Sequence, residues 1–153
     1  MTDECPCCGA TIRADSPARS VPQLRRYFAM IAAVFHHWPE THPRQFEDSE
    51  ALRYWLQAKA GPAWRTVTAR IPVTGMNRTR ALMLCEAALA AGGSRAIPVE
   101  HGGDIVIVVP KSIKFSRMRH LDFCALNDAV SDVIRAETGM DPETVLNEHE
   151  RAA

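Results

Sequence analysis

From Val21 onward, large apolar residues return every three or four positions: Leu24, Tyr27, Phe28, Ile31, Val34 and Phe35. That spacing collects them on one side of a helix, predicted over 21–37 and ended by Trp38-Pro39. Pro39 through Pro43 reads as a polar connection. Asp48 or Ser49 can cap a second helix running through Ala60, with Leu52, Trp55 and Leu56 as its apolar stripe and Gly61-Pro62 as its stop. The period then changes. Arg65 to Val73 alternates, which predicts a half-buried strand with Val67, Ala69 and Ile71 on one side.

Residues 77–91 are rich in alanine and leucine and predict a third helix, closed by Gly92-Gly93. Ile97-Pro98-Val99 and Ile105 to Val109 flank His101-Gly102-Gly103-Asp104, a hairpin signal. Pro98 has no N–H to give to a ladder, so its strand is assigned to an edge. The unbroken apolar run Ile105-Val106-Ile107-Val108-Val109 reads as the central, buried strand. A fourth helix is predicted from Arg119 to Thr138, burying Phe123, Leu126, Val130, Val133 and Ile134, with Gly139 at its C-cap. Asp141-Pro142 opens a short final helix, cap first and proline second.

These elements predict an α+β fold: a small antiparallel or mixed sheet of about three strands packed with four to five helices, plus a short Cys-rich N-terminal appendage. The appendage is assigned to residues 1–18 and the α+β domain to 19–153. With 153 residues and 46% hydrophobic content, the chain can build one ordinary core. Its apolar runs are too short for a membrane helix, and Met1-Thr2-Asp3-Glu4 lacks the apolar centre of a secretory signal. A cytoplasmic location without membrane association is therefore expected.

A formal net charge of zero conceals a strong imbalance. Residues 61–120 carry nine Lys/Arg against three acids, whereas residues 121–153 carry two arginines against eight acids. Two basic stretches stand out. In Arg19-Ser20-Val21-Pro22-Gln23-Leu24-Arg25-Arg26, Ser20 and Gln23 have capping-box spacing and Pro22 suits a first turn. Arg19, Arg25 and Arg26 then surround a positive helix start, an arrangement suited to an anion. Solvated arginines on a well-capped helix would leave the same pattern.

The second stretch, Lys111-Ser112-Ile113-Lys114-Phe115-Ser116-Arg117-Met118-Arg119, leads into the fourth helix. Lys111, Lys114, Arg117 and Arg119 can track phosphates while Phe115 stacks on a base, the combination that single-strand binding uses. Alternatively, Ile113, Phe115 and Met118 face the core and the charges solubilise a loop. Trp38, Trp55, Trp64 and Tyr54 are many large rings for a short chain and are candidates for an apolar self-association patch.

Five cysteines with no export signal argue for reduced thiols or a metal. Cys5-Pro6-Cys7-Cys8-Gly9 holds a Cys-x-x-Cys of zinc-knuckle spacing, so Cys5, Cys8 and Cys7 are the candidate ligands and zinc the candidate cofactor. Four donors are needed, and a second Cys-x-x-Cys is absent. His36-His37, His42 or Cys7 could complete the set through tertiary placement, or two knuckles of a dimer could share one ion. Cys85 and Cys124 fall on predicted helix faces and read as small core residues.

No catalytic residues are assigned. The chain has no Gly-x-Ser-x-Gly elbow, no phosphate-binding Gly-rich loop ending in Lys-Ser/Thr and no His-Glu-x-x-His. Glu100, Asp104 and Lys111 surround a hairpin in no recognisable nuclease spacing, and His101 beside two glycines reads as a turn residue.

Arg19-Ser20-x-x-Gln23-x-Arg25 resembles the opening of the NinB (Orf) recombination proteins of lambda-like phages. Ser116-Arg117-Met118-Arg119 followed by Asp122-Phe123 and an amphipathic helix is similar to a stretch late in that family, with a Trp-containing helix between, as at Trp55. The chain also resembles an uncharacterised phage family with an Arg-Ser-x-x-Gln-x-Arg-Arg start and a late Lys-Ser-Ile. The likeness covers roughly 19–138; Leu24 departs from the usual Asn, and the cysteine cluster has no counterpart. It implies a dimeric, non-enzymatic, phage-encoded protein that binds single-stranded DNA, assists recombination and contacts the host single-strand binding protein. The other class open to the sequence is a protein-interaction module that adapts or inhibits host replication, repair or defence machinery without binding DNA.

Overall fold

The computed structural model describes residues 3–4, 11–12, 21–113 and 119–153. Strands β1 (Asp3–Glu4) and β2 (Thr11–Ile12) pair antiparallel, with Asp3 opposite Ile12 and Glu4 opposite Thr11. Helices α1 (Val21–His36) and α2 (Ser49–Ala60) follow, then a short 3₁₀ turn over Pro62–Trp64 and strand β3 (Arg65–Ile71). Next come α3 (Arg78–Ala91), β4 (Ile97–His101), β5 (Asp104–Pro110), α4 (His120–Thr138) and α5 (Pro142–Ala152). The fold is α+β, and the described residues form five α-helices and a three-stranded antiparallel sheet ordered β3-β5-β4. No described helix is long and apolar enough to cross a membrane.

The chain divides into two compact units. The first joins Met1–Arg53 to Ser112–Ala153, and the second is Tyr54–Lys111. In the first, α1 buries Tyr27, Met30, Ile31 and Val34, and α4 buries Phe123, Leu126, Val130 and Ile134. Helix α5 packs along α1 and adds Val145 and Leu146. Caps set the ends as residue chemistry requires. Asp48 accepts the Ala51 N–H at 2.7 Å and Asp141 the Thr144 N–H at 3.1 Å. Gly139 closes α4 at φ +72°, where a Cβ would be strained. Val133, expected inside with its neighbours, is only half-buried.

In the second unit β5 is the central strand, and Ile105, Val106, Ile107 and Val108 are all buried. Four consecutive buried positions mean that both faces of β5 are covered. Pro98 sits on β4, an edge, opposite Ile107. Gly102 and Gly103 make the β4–β5 turn at φ +57° and +88°, the pair of positive angles that a tight two-residue hairpin demands. Helix α3, capped by Asn77, packs along β4.

Three expectations are corrected. Strand β3 is not half-buried: Val67 and Ile71 are 52% and 40% exposed, and among its residues only Arg65 is buried. It is an edge strand, and its register against β5 shifts between Val67 and Ala69, a bulge that breaks simple alternation. Phe28 is 43% exposed, on the rim of α1, with the Arg53 guanidinium 5.6 Å from its ring centre; the buried stripe instead runs through Gln23, Tyr27, Met30, Ile31 and Val34. Trp38 and Trp55 are buried, so they form no surface patch; Trp38 donates its indole N–H to the Arg44 carbonyl at 2.9 Å.

Candidate nucleic-acid interface

Helices α1 and α4 touch through three pairs of side chains. The Gln23 amide donates to the Cys124 sulfur at 3.0 Å, the Tyr27 and Phe123 rings meet edge to face at 5.2 Å, and Ser131 lies 3.9 Å from the Met30 sulfur. The early turns of the two helices thus meet at residues 23–27 and 123–124, and Met30 and Ser131 touch further along both. Arg25, Arg26 and Arg119 thereby fall toward a common end of the first unit. The partial positive charge of two helix N-termini adds to theirs.

Arg25 is exposed on the second turn of α1. It falls between buried Gln23 and Tyr27, and at about 100° per residue it points away from the buried stripe. Arg26 is exposed but pairs with Glu143 of α5, so an acid of the C-terminal segment already holds that cation. Arg119 is exposed at the N-cap of α4 and makes no side-chain cap there. Lys111 is exposed but belongs to the second unit, where its N–H donates to the Trp64 carbonyl and its carbonyl accepts from Gln57. Arg19, Lys114, Phe115 and Arg117 lie outside the described residues, as do Ser20 and the capping box it would complete. The structure thus brings Arg25, Arg26 and Arg119 to one end of one helix pair.

Part of the basic middle segment is structural. Arg65 is buried and donates to the Ala58 carbonyl at 2.6 Å, and burial lowers its pKa from the usual arginine value. Arg70 pairs with Asp104 at 3.2 Å. The histidines weighed as metal ligands have other partners. His42 accepts the Arg44 N–H at Nδ1, which leaves Nε2–H to donate to Glu137 at 3.0 Å. His36 and His37 form a ring triangle with His149, with centroids 5.1–5.7 Å apart. Among the described residues no group of three or more His, Cys, Asp or Glu side chains is placed to hold a metal. Cys5, Cys7 and Cys8 lie outside the described residues, between β1 and β2.

One constellation escaped sequence reading. His120 and Cys124 occupy the first two turns of α4, each only 8% exposed, with the Cys124 sulfur 3.6 Å from His120 Nε2. Cys124 is buried as expected, but among polar neighbours rather than in plain core. The available signal was the four-residue spacing, which stacks the two side chains on one helix face. No protein-family model, curated protein or solved structure matches the chain.

Proposed function

We propose that this is a non-enzymatic single-stranded-DNA-binding protein of phage or prophage origin, an accessory of recombination of the NinB kind. It would act as a homodimer in the cytoplasm, the host's if phage-encoded, beside the host single-strand binding protein. The observation that carries this reading is the shared end of α1 and α4, where exposed Arg25 and Arg119 accompany two helix starts. Arg19, Lys114, Phe115 and Arg117 would extend that surface from the segments adjoining the same two helices. The motif likeness of 19–25 and 116–123 points the same way. Phosphate contacts release counterions, so binding must fall steeply with salt. In a gel shift with a single-stranded oligonucleotide, Arg25→Glu with Arg119→Glu should weaken binding at least tenfold at low salt and flatten the salt dependence. Unchanged affinity and slope would remove the proposal.

A second reading has its own observation. Met83 and Leu84 on α3 are 65% and 53% exposed, and Met76, Val67, Ile71 and Val109 are also exposed in the same unit. Helix α3 has no buried residue. An interaction module would use this apolar surface, and it would retain its partner when Arg25 and Arg119 are reversed.

A further inference from the structure

Where α1 meets the early turns of α4, four polar side chains are packed into the first unit. Gln23, Tyr27, His120 and Cys124 are each more than nine-tenths buried. His120 and Cys124 stand one turn apart on α4, with Cys124 Sγ 3.6 Å from His120 Nε2, a hydrogen-bond distance for sulfur. From α1, the Gln23 amide N–H donates to the same sulfur at 3.0 Å. Tyr27, one turn beyond Gln23, sets its ring against Phe123, the residue before Cys124. Its hydroxyl has no hydrogen-bond partner among the described residues. A cysteine that only filled space would sit among apolar groups, where burial holds a thiol neutral and inert. Cys124 instead has a base on one side and a donor on the other.

Each neighbour has a distinct chemical consequence. The imidazole is within reach of the thiol proton, so the pair can pass from thiol and neutral imidazole to thiolate and imidazolium. The charges so formed attract across 3.6 Å, shielded from solvent. The Gln23 N–H already points at the sulfur, and such a bond strengthens when its acceptor is charged. Nothing facing it from α1 opposes the thiolate: Gln23 is uncharged, and burial keeps the Tyr27 phenol protonated by raising it well above its ordinary value. On α4 itself, Asp122 and Asp128 are exposed, so solvent screens them. Access is narrow but open. Phe123 and Leu126 are fully buried, whereas Cys124 keeps 8% of its surface in water. That opening suits a reagent of a few heavy atoms rather than a bulky substrate.

We propose that Cys124 is a hydroperoxide-reactive thiol, with His120 as its base and Gln23 as the donor that holds the thiolate. The thiol proton passes to His120 Nε2, and the sulfur electron pair attacks the terminal oxygen of a small hydroperoxide. The S–O bond forms as the O–O bond breaks, and the leaving hydroxide or alkoxide takes the proton from His120. Sulfur is oxidised by two electrons to a sulfenic acid, and the peroxide is reduced to water or an alcohol. His120 and Gln23 are positioning residues that act through the sulfur. The chemistry uses side chains of the first unit alone and stands or falls independently of DNA binding.

The test sets Cys124 against Cys85, a half-buried thiol on α3, within the same full-length, fully reduced chain. Substoichiometric hydrogen peroxide, dimedone trapping and peptide mass spectrometry measure sulfenic acid at each cysteine between pH 5.5 and 9. An ordinary thiol is only about 3% ionised at pH 7. A preformed thiolate, allowing for its lower intrinsic nucleophilicity, should react about tenfold faster. Cys124 should therefore outpace Cys85 by about that factor at pH 7, although it is the more buried of the two. His120→Asn keeps a polar side chain in place of the imidazole. It should slow Cys124 about tenfold at pH 7 and move the rise of its pH–rate profile toward about 8.5, while Cys85 is unchanged. Gln23→Met, of similar shape, should act in the same direction with a smaller effect. Loss of packing alone would lower Tm without moving that profile. The wild-type comparison needs no variant to fold: a Cys124 rate at or below that of Cys85 at pH 7 would overturn the proposal. So would an unchanged Cys124 profile in folded His120→Asn, or trapping of Cys124 only after denaturation.

Discussion

Replacing Tyr27 by phenylalanine should leave the protein at least as stable at neutral pH and more stable in alkali. Tyr27 is 1% exposed, and its ring meets Phe28 and Phe123 edge to face, contacts that phenylalanine preserves. Its hydroxyl has no hydrogen-bond partner among the described residues. A buried polar group left unmatched costs roughly 1–3 kcal/mol, and deleting it leaves a void of one oxygen atom. The net expectation is a gain of about 1 kcal/mol, or about 2–4 °C in Tm for a chain of this size. Burial pushes the Tyr27 phenol well above its ordinary value near 10, against the opposing pull of the Arg53 charge.

The unfolded phenol therefore ionises near pH 10 while the folded one keeps its proton. The stability tied to Tyr27 is fully present below pH 10 and is lost as pH rises toward the folded value. That loss amounts to about 1.4 kcal/mol per pH unit. Urea unfolding followed by far-ultraviolet circular dichroism at pH 7, 10 and 11 measures both effects. The variant should unfold at equal or higher urea at pH 7, and its advantage should widen from pH 10 to 11. A loss above about 1 kcal/mol at pH 7 would mean that the hydroxyl is paired. A constant difference between pH 10 and 11 would mean that it ionises in the folded protein. Either result refutes the reasoning.

Leu126→Ala, which empties a fully buried position on α4, should cost about 2–5 kcal/mol in denaturant unfolding. Gly139→Ala should cost about 1 kcal/mol: its φ of +72° disfavours any side chain, although nothing lies within 4 Å of the new Cβ. The Arg135 hydrogen bond and the Thr144 N–H and hydroxyl hold the Asp141 carboxyl below its usual range. Its contribution is complete above the ordinary carboxylate value and lost as pH falls through the lowered one, so Asp141→Asn should flatten the acid limb of the Tm profile. Glu143→Gln should free Arg26 and raise affinity for single-stranded oligonucleotide, read by the same gel shift at fixed salt. Met83→Glu with Leu84→Glu should leave Tm within about 1 °C, because both side chains are exposed, and should shift light scattering toward monomer if α3 forms the dimer contact.

Much of this fold is written in local chemistry. Period, caps and breakers placed every α-helix and every strand of the three-stranded sheet. Asp48, Asn77 and Asp141 mark helix starts because their short side chains accept the N–H groups that a first turn leaves unpaired. Pro98 marked an edge and the 105–109 run a centre because a missing donor and a missing polar face each constrain where a strand can lie. Such rules act within a few residues, so they survive without knowledge of the rest of the chain.

What the sequence could not determine depends on partners distant along it. Alternation predicted a half-buried strand over 65–73 with Val67, Ala69 and Ile71 on one side, whereas the edge position with its bulge left Val67 and Ile71 exposed. Arg26 read as a free cation until α5 brought Glu143 beside it, and Trp38, a candidate for a self-association patch, is buried by packing. The pairing of Gln23 with Cys124, 101 positions apart, was equally invisible. It depends on two helices packing side by side, and nothing local specifies that. From residue 21 onward the sequence by itself determined which segments fold as helix or strand, because backbone hydrogen bonds and caps are satisfied by near neighbours, whereas the β1–β2 pairing was not read from it. Tertiary structure alone decided which charges are neutralised and which thiol meets an imidazole, because burial and pairing come from whichever residues the folded chain brings together.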